Sequence, residues 1–219
     1  LPEGTVPRFF FESAARHGIS LYIDPHQDVW SRWTGGDGAP MWTLEAVGFE
    51  PRTLHASGAA MLHQEMGEHY PQMQWFSNHL RLGCATMFTL FFGGNDFAPG
   101  IEVGGVPVQE FLQEHYIEAF GALAVRLAAY PNVVGFGSMN EPGEGFIGLK
   151  ALWAPRKDMV LPGLAPTPWE ALCAGEGIAT TSEHIEVKGG ALRSVGRVTL
   201  GTPGVRAWKD GEVCVWRRV

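Results

Sequence analysis

Cysteine is scarce. Cys84, Cys173 and Cys214 are odd in number and far apart, which supplies neither a disulfide framework nor a CxxC metal or redox pair. This favours an intracellular setting, cytoplasmic or vacuolar. Charge is also low: 18% of the residues are charged, and 16 basic against 23 acidic side chains leave a net of -7. That balance lacks the basic footprint that nucleic acid or an anionic surface requires, so no nucleic-acid partner is expected. Long apolar runs are missing too. The most apolar stretch, Cys84 to Phe92, is under half of the roughly 20 residues that cross a bilayer. No transmembrane segment is expected, which leaves room for peripheral membrane contact only. The eight histidines show no HxxxH or HxH spacing, and no P-loop, GxSxG or dinucleotide fingerprint is present, so neither a metal nor a cofactor is expected.

What is present is a substantial core and much loop. Hydrophobic residues make up 45% of the 219, enough for one globular domain or most of a large one, and 29 glycines with 15 prolines space rather few regular elements. The chain begins at Leu1 rather than methionine, so upstream sequence is expected.

Thr5 as N-cap, Pro7 in the first turn and apolar Val6, Phe9, Phe10 and Ala14 predict a helix from about Val6 to His17, stopped by Gly18. Ile19 to Ile23 then reads as a strand buried on both faces, running out into Asp24-Pro25-His26-Gln27-Asp28. The same order recurs. Val108, Leu112, Tyr116, Ala119, Phe120, Leu123 and Leu127 keep a helical period, Tyr130-Pro131-Asn132 closes it, and Val133 to Gly137 is a second strand ending in Ser138-Met139-Asn140-Glu141-Pro142. Helix, strand and polar residues at the strand's C-terminal end, twice over, is the pattern of a (β/α) barrel. Between these units, Thr53 to Gln64 and Gln74 to Phe92 read as helical. After Pro142, irregular chain is expected, followed by strand-like pieces near 185–187, 197–200 and 213–216, with Gly189-Gly190 and Asp210-Gly211 as hairpin-type turns.

Asn140-Glu141-Pro142 is the sharpest chemical signal. Glycoside hydrolysis needs a protonated carboxyl beside the leaving oxygen, and an adjacent asparagine can hydrogen-bond the sugar 2-hydroxyl in the transition state. A solvated strand exit is the plain alternative. His26, just past the first strand, is placed to hold the sugar or the catalytic carboxyl, while Asp28 and Arg32 either pair to fix their loop or meet substrate. Of the many aromatic residues, Trp33 and Trp42 flank the glycine-rich loop Gly35 to Gly38 and are the candidates to stack on a sugar; elsewhere core filling is the default.

The stretches Asp24-Pro-His-Gln-Asp-Val-Trp-Ser-Arg, Gly38-Ala-Pro, Ala85-Thr-Met-Phe-Thr-Leu-Phe-Phe-Gly-Gly, Phe97-Ala-Pro and Met139-Asn-Glu-Pro-Gly-Glu-Gly-Phe-Ile-Gly together resemble glycoside hydrolase family 5. Within it they resemble the endoglycoceramidase-related branch, whose fungal members are steryl β-glucosidases and glucosylceramidases. The tail Gly204-Val-Arg-Ala-Trp-Lys-Asp-Gly-Glu-Val-Cys-Val-Trp-Arg is similar to the same branch. The resemblance implies a TIM barrel and retaining hydrolysis by two glutamates, with Glu141 as acid/base, Asn140 as its sugar-binding neighbour and His26 as an active-site histidine. It also implies a nucleophile on a late barrel strand. After Glu141 come Glu144, Glu170, Glu176, Glu183, Glu186 and Glu212, none ending a long apolar strand.

The expected fold class is therefore α/β: a partial (β/α)8 TIM barrel with about two core strands and their helices, plus long loop-rich insertions. Residues 1–142 form the barrel part with a helical insertion at about 43–106, and 143–219 form an insertion with short β pieces. The expected function is a retaining β-glucosidase that cleaves β-linked glucose from a sterol or sphingolipid glucoside, this chain being a fragment without the nucleophile and inactive alone. A family 5 glucanase acting on soluble β-glucan and a non-catalytic carbohydrate- or lipid-binding remnant are the alternatives. An exposed apolar wall of Trp75, Met87, Phe91 and Phe92 would favour the lipid aglycone.

Overall fold

A computed structural model describes residues 8–70, 75–156 and 161–218. In chain order the regular elements are α1 (Arg8–Arg16), β1 (Leu21–Ile23), α2 (Met41–Ala46), α3 (His63–Met66), α4 (Leu82–Phe97), β2 (Glu102–Val103), β3 (Val106–Pro107), α5 (Val108–Leu127), β4 (Val133–Phe136), β5 (Gly163–Ala165), α6 (Pro168–Gly175), β6 (Thr181–Lys188) and β7 (Ala191–Thr199). They fall into two compact units. One takes the described residues up to His26 together with Gln113–Asn140, the other Gln27–Leu112 together with the described residues from Glu141 onward.

In the first unit β1 and β4 pair in parallel, with Leu21 opposite Val133, Tyr22 opposite Gly135 and Ile23 opposite Phe136. The expected strands are thus adjacent and run the same way. Helix α1 buries Phe11 and Ala14, and the Phe11 ring lies 4.9 Å from that of Tyr130. Thr5, Val6 and Pro7, expected at its start, lie outside the described residues. Asn132 ties the helix to the sheet: its Nδ2 donates to the Phe11 carbonyl at 3.2 Å and the Ile19 carbonyl at 3.3 Å. The alternate side chains Tyr22 and Val134 are each 65% exposed.

The second unit is organised by α4. Its sequence is apolar on nearly every face, and a helix hydrophobic all round must be buried; every residue from Leu82 to Phe91 is. Trp30 packs edge-on against Phe88 and Phe91 at 5.6 and 5.8 Å. The two threonines inside the helix are satisfied, Thr89 donating to the Ala85 carbonyl at 2.7 Å and Thr86 accepting from the Trp216 indole at 3.0 Å. The tail closes over the segment before α4: Phe49 and Trp208 stack at 4.1 Å, Glu50 N–H donates to the Ala207 carbonyl and Lys209 N–H to that of Gly48, each at 2.9 Å. A three-stranded antiparallel sheet, ordered β5-β6-β7, completes the unit.

Several expectations are corrected. Thr53 to Gln64 is not a helix. One turn forms, with Ser57 N–H donating to the Thr53 carbonyl, and then Gly58 takes φ +79 so that its backbone can lie against Gly201. A side chain at Gly58 would come within 2.9 Å of the Gly201 nitrogen. The helix expected from Gln74 splits into a 3-10 segment, Trp75–Leu80, and α4; Gln74 itself lies outside the described residues. The strand-like piece at 213–216 is replaced by the 3-10 turn Val215–Arg217, while Gly189-Gly190 does join β6 to β7. The expected irregular stretch after Pro142 contains β5 and α6. Helix α6 starts on a full capping box, Thr167 accepting from Glu170 N–H at 3.2 Å and Glu170 accepting from Thr167 N–H at 2.9 Å, with Pro168 in the first turn. Thr167→Ala should therefore lower stability by about 1 kcal/mol, and Thr167→Ser should recover most of it, read from denaturant midpoints at constant slope.

Candidate active site

Because β1 and β4 are parallel, their C-terminal ends emerge together. Gly137 N–H donates to the Ile23 carbonyl at 2.7 Å, the last rung before both chains leave the sheet. Beyond it His26 Nδ1 lies 3.1 Å from Asp24 Oδ2, and His26 Nε2 lies 3.5 Å from Asn140 Nδ2. The chemistry of the partners sets the tautomer. Nδ1 carries the proton toward the carboxylate, and Nε2 accepts from the amide. Asp24 and His26 are half-exposed, so their pairing orients the ring more than it stabilises the fold. Tyr22 and Tyr116 brace the second strand end, their hydroxyls donating to the Phe136 and Ser138 carbonyls.

Glu141, the next residue, is exposed and takes φ +36, a left-handed backbone that non-glycine residues adopt at a cost of order 1 kcal/mol or more. Its loop is fixed within the second unit. Phe146 N–H donates to Thr89 Oγ1 of α4 at 2.7 Å, Arg156 Nη1 donates to the Gly145 carbonyl at 3.1 Å, and Arg156 Nη2 pairs with Glu144 at 3.0 Å. Gly145, at φ +59, sits so close to α4 that a side chain there would meet Thr89 Oγ1 at 2.3 Å. The backbone at Gly143 lies against the buried His79 ring. Burial lowers the His79 pKa to about 4, opposed by Glu144 and Asp28 and assisted by Arg156. Burial also raises the Cys84 thiol, whose sulfur is 3.7 Å from His79 Nδ1, so the two meet as neutral groups.

The other expected residues lie on the loop after His26. Asp28 forms an antiparallel bridge with Asp37, its N–H donating to the Asp37 carbonyl at 3.3 Å and Asp37 N–H donating back at 3.2 Å. This backbone bridge fixes the loop; no Asp28–Arg32 ion pair forms among the described residues, and Arg32 is exposed at the head of a short 3-10 turn. Val29 and Trp30 follow at φ 42 and 80, so strained backbone follows His26 as it follows Asn140. Trp33 is half-buried, and Trp42 is 40% exposed with its ring edge-on to Phe111. The four residues whose joint exposure would favour a lipid aglycone do not form one exposed wall: Met87 and Phe91 are in the core and Phe92 is exposed. Asp24, Thr89, His79 and Arg156 were not singled out from the sequence. Asp24, two residues before His26, had a local signal, whereas the others meet the Glu141 loop only through packing.

No family model matches the chain. It is 36% identical over 220 residues to ergosteryl-beta-glucosidase of Saccharomyces cerevisiae, covering 91% of this chain and 29% of the relative. It is 39% identical over 218 residues to a glucosylceramidase of Rhizopus delemar, covering 96% of this chain and 31% of that protein. The crystal structure of Cryptococcus neoformans sterylglucosidase 1 superposes with a TM-score of 0.88 at 35% identity, over 94% of this chain and 34% of the other. The likeness is to one stretch of fungal glucosidases. The chain spans about 30% of the length of the curated relatives it matches.

The His79 geometry has a pH consequence. The folded state binds this proton less tightly than the unfolded chain, so stability should fall as pH drops from about 6.5 toward 4, by at most about 1.4 kcal/mol per pH unit. Denaturation between pH 4 and 7 should show this slope, and His79→Gln should flatten it.

Proposed function

We propose that this chain is part of a retaining β-glucosidase of glycoside hydrolase family 5 acting on sterol or sphingolipid glucosides. The observation that carries the reading is the match to sterylglucosidase 1, at TM-score 0.88 over 94% of the chain. Ergosteryl-beta-glucosidase and glucosylceramidase among the relatives support the choice of aglycone. Glu141 is the general acid that protonates the departing oxygen and later the base that activates water, Asn140 binds the sugar 2-hydroxyl, and His26, oriented by Asp24, binds a further sugar hydroxyl. Trp33, Trp42, Asp28 and Arg32 are proposed substrate contacts. The barrel is part of the same proposal: parallel pairs are ordinarily covered on both faces, and the exposed Tyr22 and Val134 are the side chains such a cover would bury. So is its layout, a barrel part to residue 142 with a helical insertion at about 43–106 and a second insertion over 143–219.

The nucleophile is proposed to lie outside these 219 residues. Five of the six glutamates after Glu141, all but Glu183, have structural partners that support this: Glu144 pairs with Arg156, Glu170 caps α6 and pairs with Arg197, Glu176 lies 3.5 Å from Arg206 and 3.7 Å from Arg217, Glu186 pairs with Lys188, and Glu212 pairs with Arg218. An intracellular site of action, cytoplasmic or vacuolar, is supported by three free thiols. Approach to lipid substrate by peripheral membrane contact completes the reading.

The test uses the complete gene product that carries this chain. Glu141→Gln should slow hydrolysis of a steryl glucoside by about 10²- to 10⁴-fold and that of an activated aryl glucoside much less, because only the former needs a proton at the leaving oxygen. Equal losses on both substrates would assign Glu141 a binding or structural role. Turnover of soluble β-glucan in place of steryl glucoside and glucosylceramide would move the aglycone to the glucanase reading.

A further inference from the structure

A cleft of about 350 Å³ opens elsewhere in the second unit, between the segment before α4 and the sheet β5-β6-β7. This is within the size range of small-molecule sites, about 300 to 1,000 Å³. Met61, Met66 and Leu164 give it apolar walls; His55, His184 and Arg81 are its ionisable lining. Arg81 is the unusual member. It is 4% exposed, and among the described residues its side chain has one acceptor, the Gly58 carbonyl 3.1 Å from Nη1, while Nε has none. Burial lowers its pKa to about 10, and a group with that pKa is still charged at neutral pH. A guanidinium offers five N–H donors and is costly to desolvate without a counter-charge. It also stands at the N-cap of α4, where the helix dipole adds positive potential. His55 accepts from Leu62 N–H through Nδ1 at 3.1 Å, which leaves its proton on Nε2 as a second donor.

We propose that this cleft binds an organic carboxylate, with Arg81 as counter-ion, His55 Nε2–H as a second donor and Met61, Met66 and Leu164 around the hydrocarbon part. A single cation beside a neutral imidazole matches a monoanion better than a dianionic phosphate, and the walls match a hydrocarbon better than a hydrated ion. The carboxylate is either a free molecule or a protein side chain from outside the described residues. The site is independent of the hydrolytic reading.

Calorimetric titration of hexanoate into the complete gene product tests it, with 1-hexanol and inorganic phosphate as comparison probes. For a free ligand, hexanoate binds in preference to both, Arg81→Met weakens it by about 10- to 100-fold, and Leu164→Trp, which fills the cleft and keeps Arg81, excludes it. For a carboxylate supplied by the protein, hexanoate does not bind and Arg81→Met lowers the unfolding midpoint by on the order of 10 °C, or prevents folding, because a buried carboxylate is left unpaired. Absence of binding together with an unchanged or raised midpoint in Arg81→Met overturns the proposal, as does hexanoate binding that is indifferent to Leu164→Trp.

Discussion

The parallel pairing of β1 with β4 is the contact on which the candidate site depends. Two strands of three and four residues give few rungs, and such a ladder has little stability of its own in water. Its effect is geometric. Parallel strands leave a sheet in the same direction, so His26 and Asn140, 114 positions apart, meet at 3.5 Å. Antiparallel pairing of the same residues would send them to opposite ends. Side-chain contacts hold the ladder: Asn132 to the Phe11 carbonyl within α1, Phe11 on Tyr130, and the Tyr22 and Tyr116 hydroxyls on the strand that leads to Asn140.

The second unit supplies rigidity of another kind. Helix α4 is buried on nearly all sides and receives the loop after Glu141 through Thr89, Gly145 and the His79 ring. The role proposed for Glu141 requires its carboxyl to be held within a fraction of an ångström of one position, and loops achieve this only when packed against regular structure. Arg156 does double service there, holding the Gly145 carbonyl and engaging Glu144. Neutral His79 and Cys84 complete the floor under that loop; a charged pair would need compensation that an apolar helix cannot offer. The positive φ of Glu141, Val29 and Trp30 marks where this packing bends the chain away from its local preference.

Much of the local structure was legible. The period of Val108 to Leu127 marked α5, the β-rich runs at 19–23 and 133–137 marked β1 and β4, and polar residues directly after each strand marked His26 and Asn140. Helix α6 was missed although Thr167-Pro168-Trp169-Glu170 carries a capping box with proline in the first turn, because the surrounding prolines read as irregular chain. Other features had no local signature. Thr53 to Gln64 has helical composition and is turned aside by contact with Gly201 and Thr202, residues almost 150 positions away. Met87 and Phe91 are as apolar as a ligand wall and are core because α4 is enclosed from Leu82 to Phe91.

By itself the sequence determined the identity and order of the chemical groups: a histidine past one strand, Asn-Glu-Pro past another, and an acidic chain poor in cysteine. These are properties of near neighbours, set by side-chain period, turn residues and charge. Only the tertiary structure decided that Asp24 orients His26, that Thr89, His79 and Arg156 hold the Glu141 loop, and that Arg81 lies buried without a carboxylate among the described residues. Those facts depend on which distant segments share one dry interior, and burial and hydrogen bonding across it are long-range outcomes of packing that no short window of sequence contains.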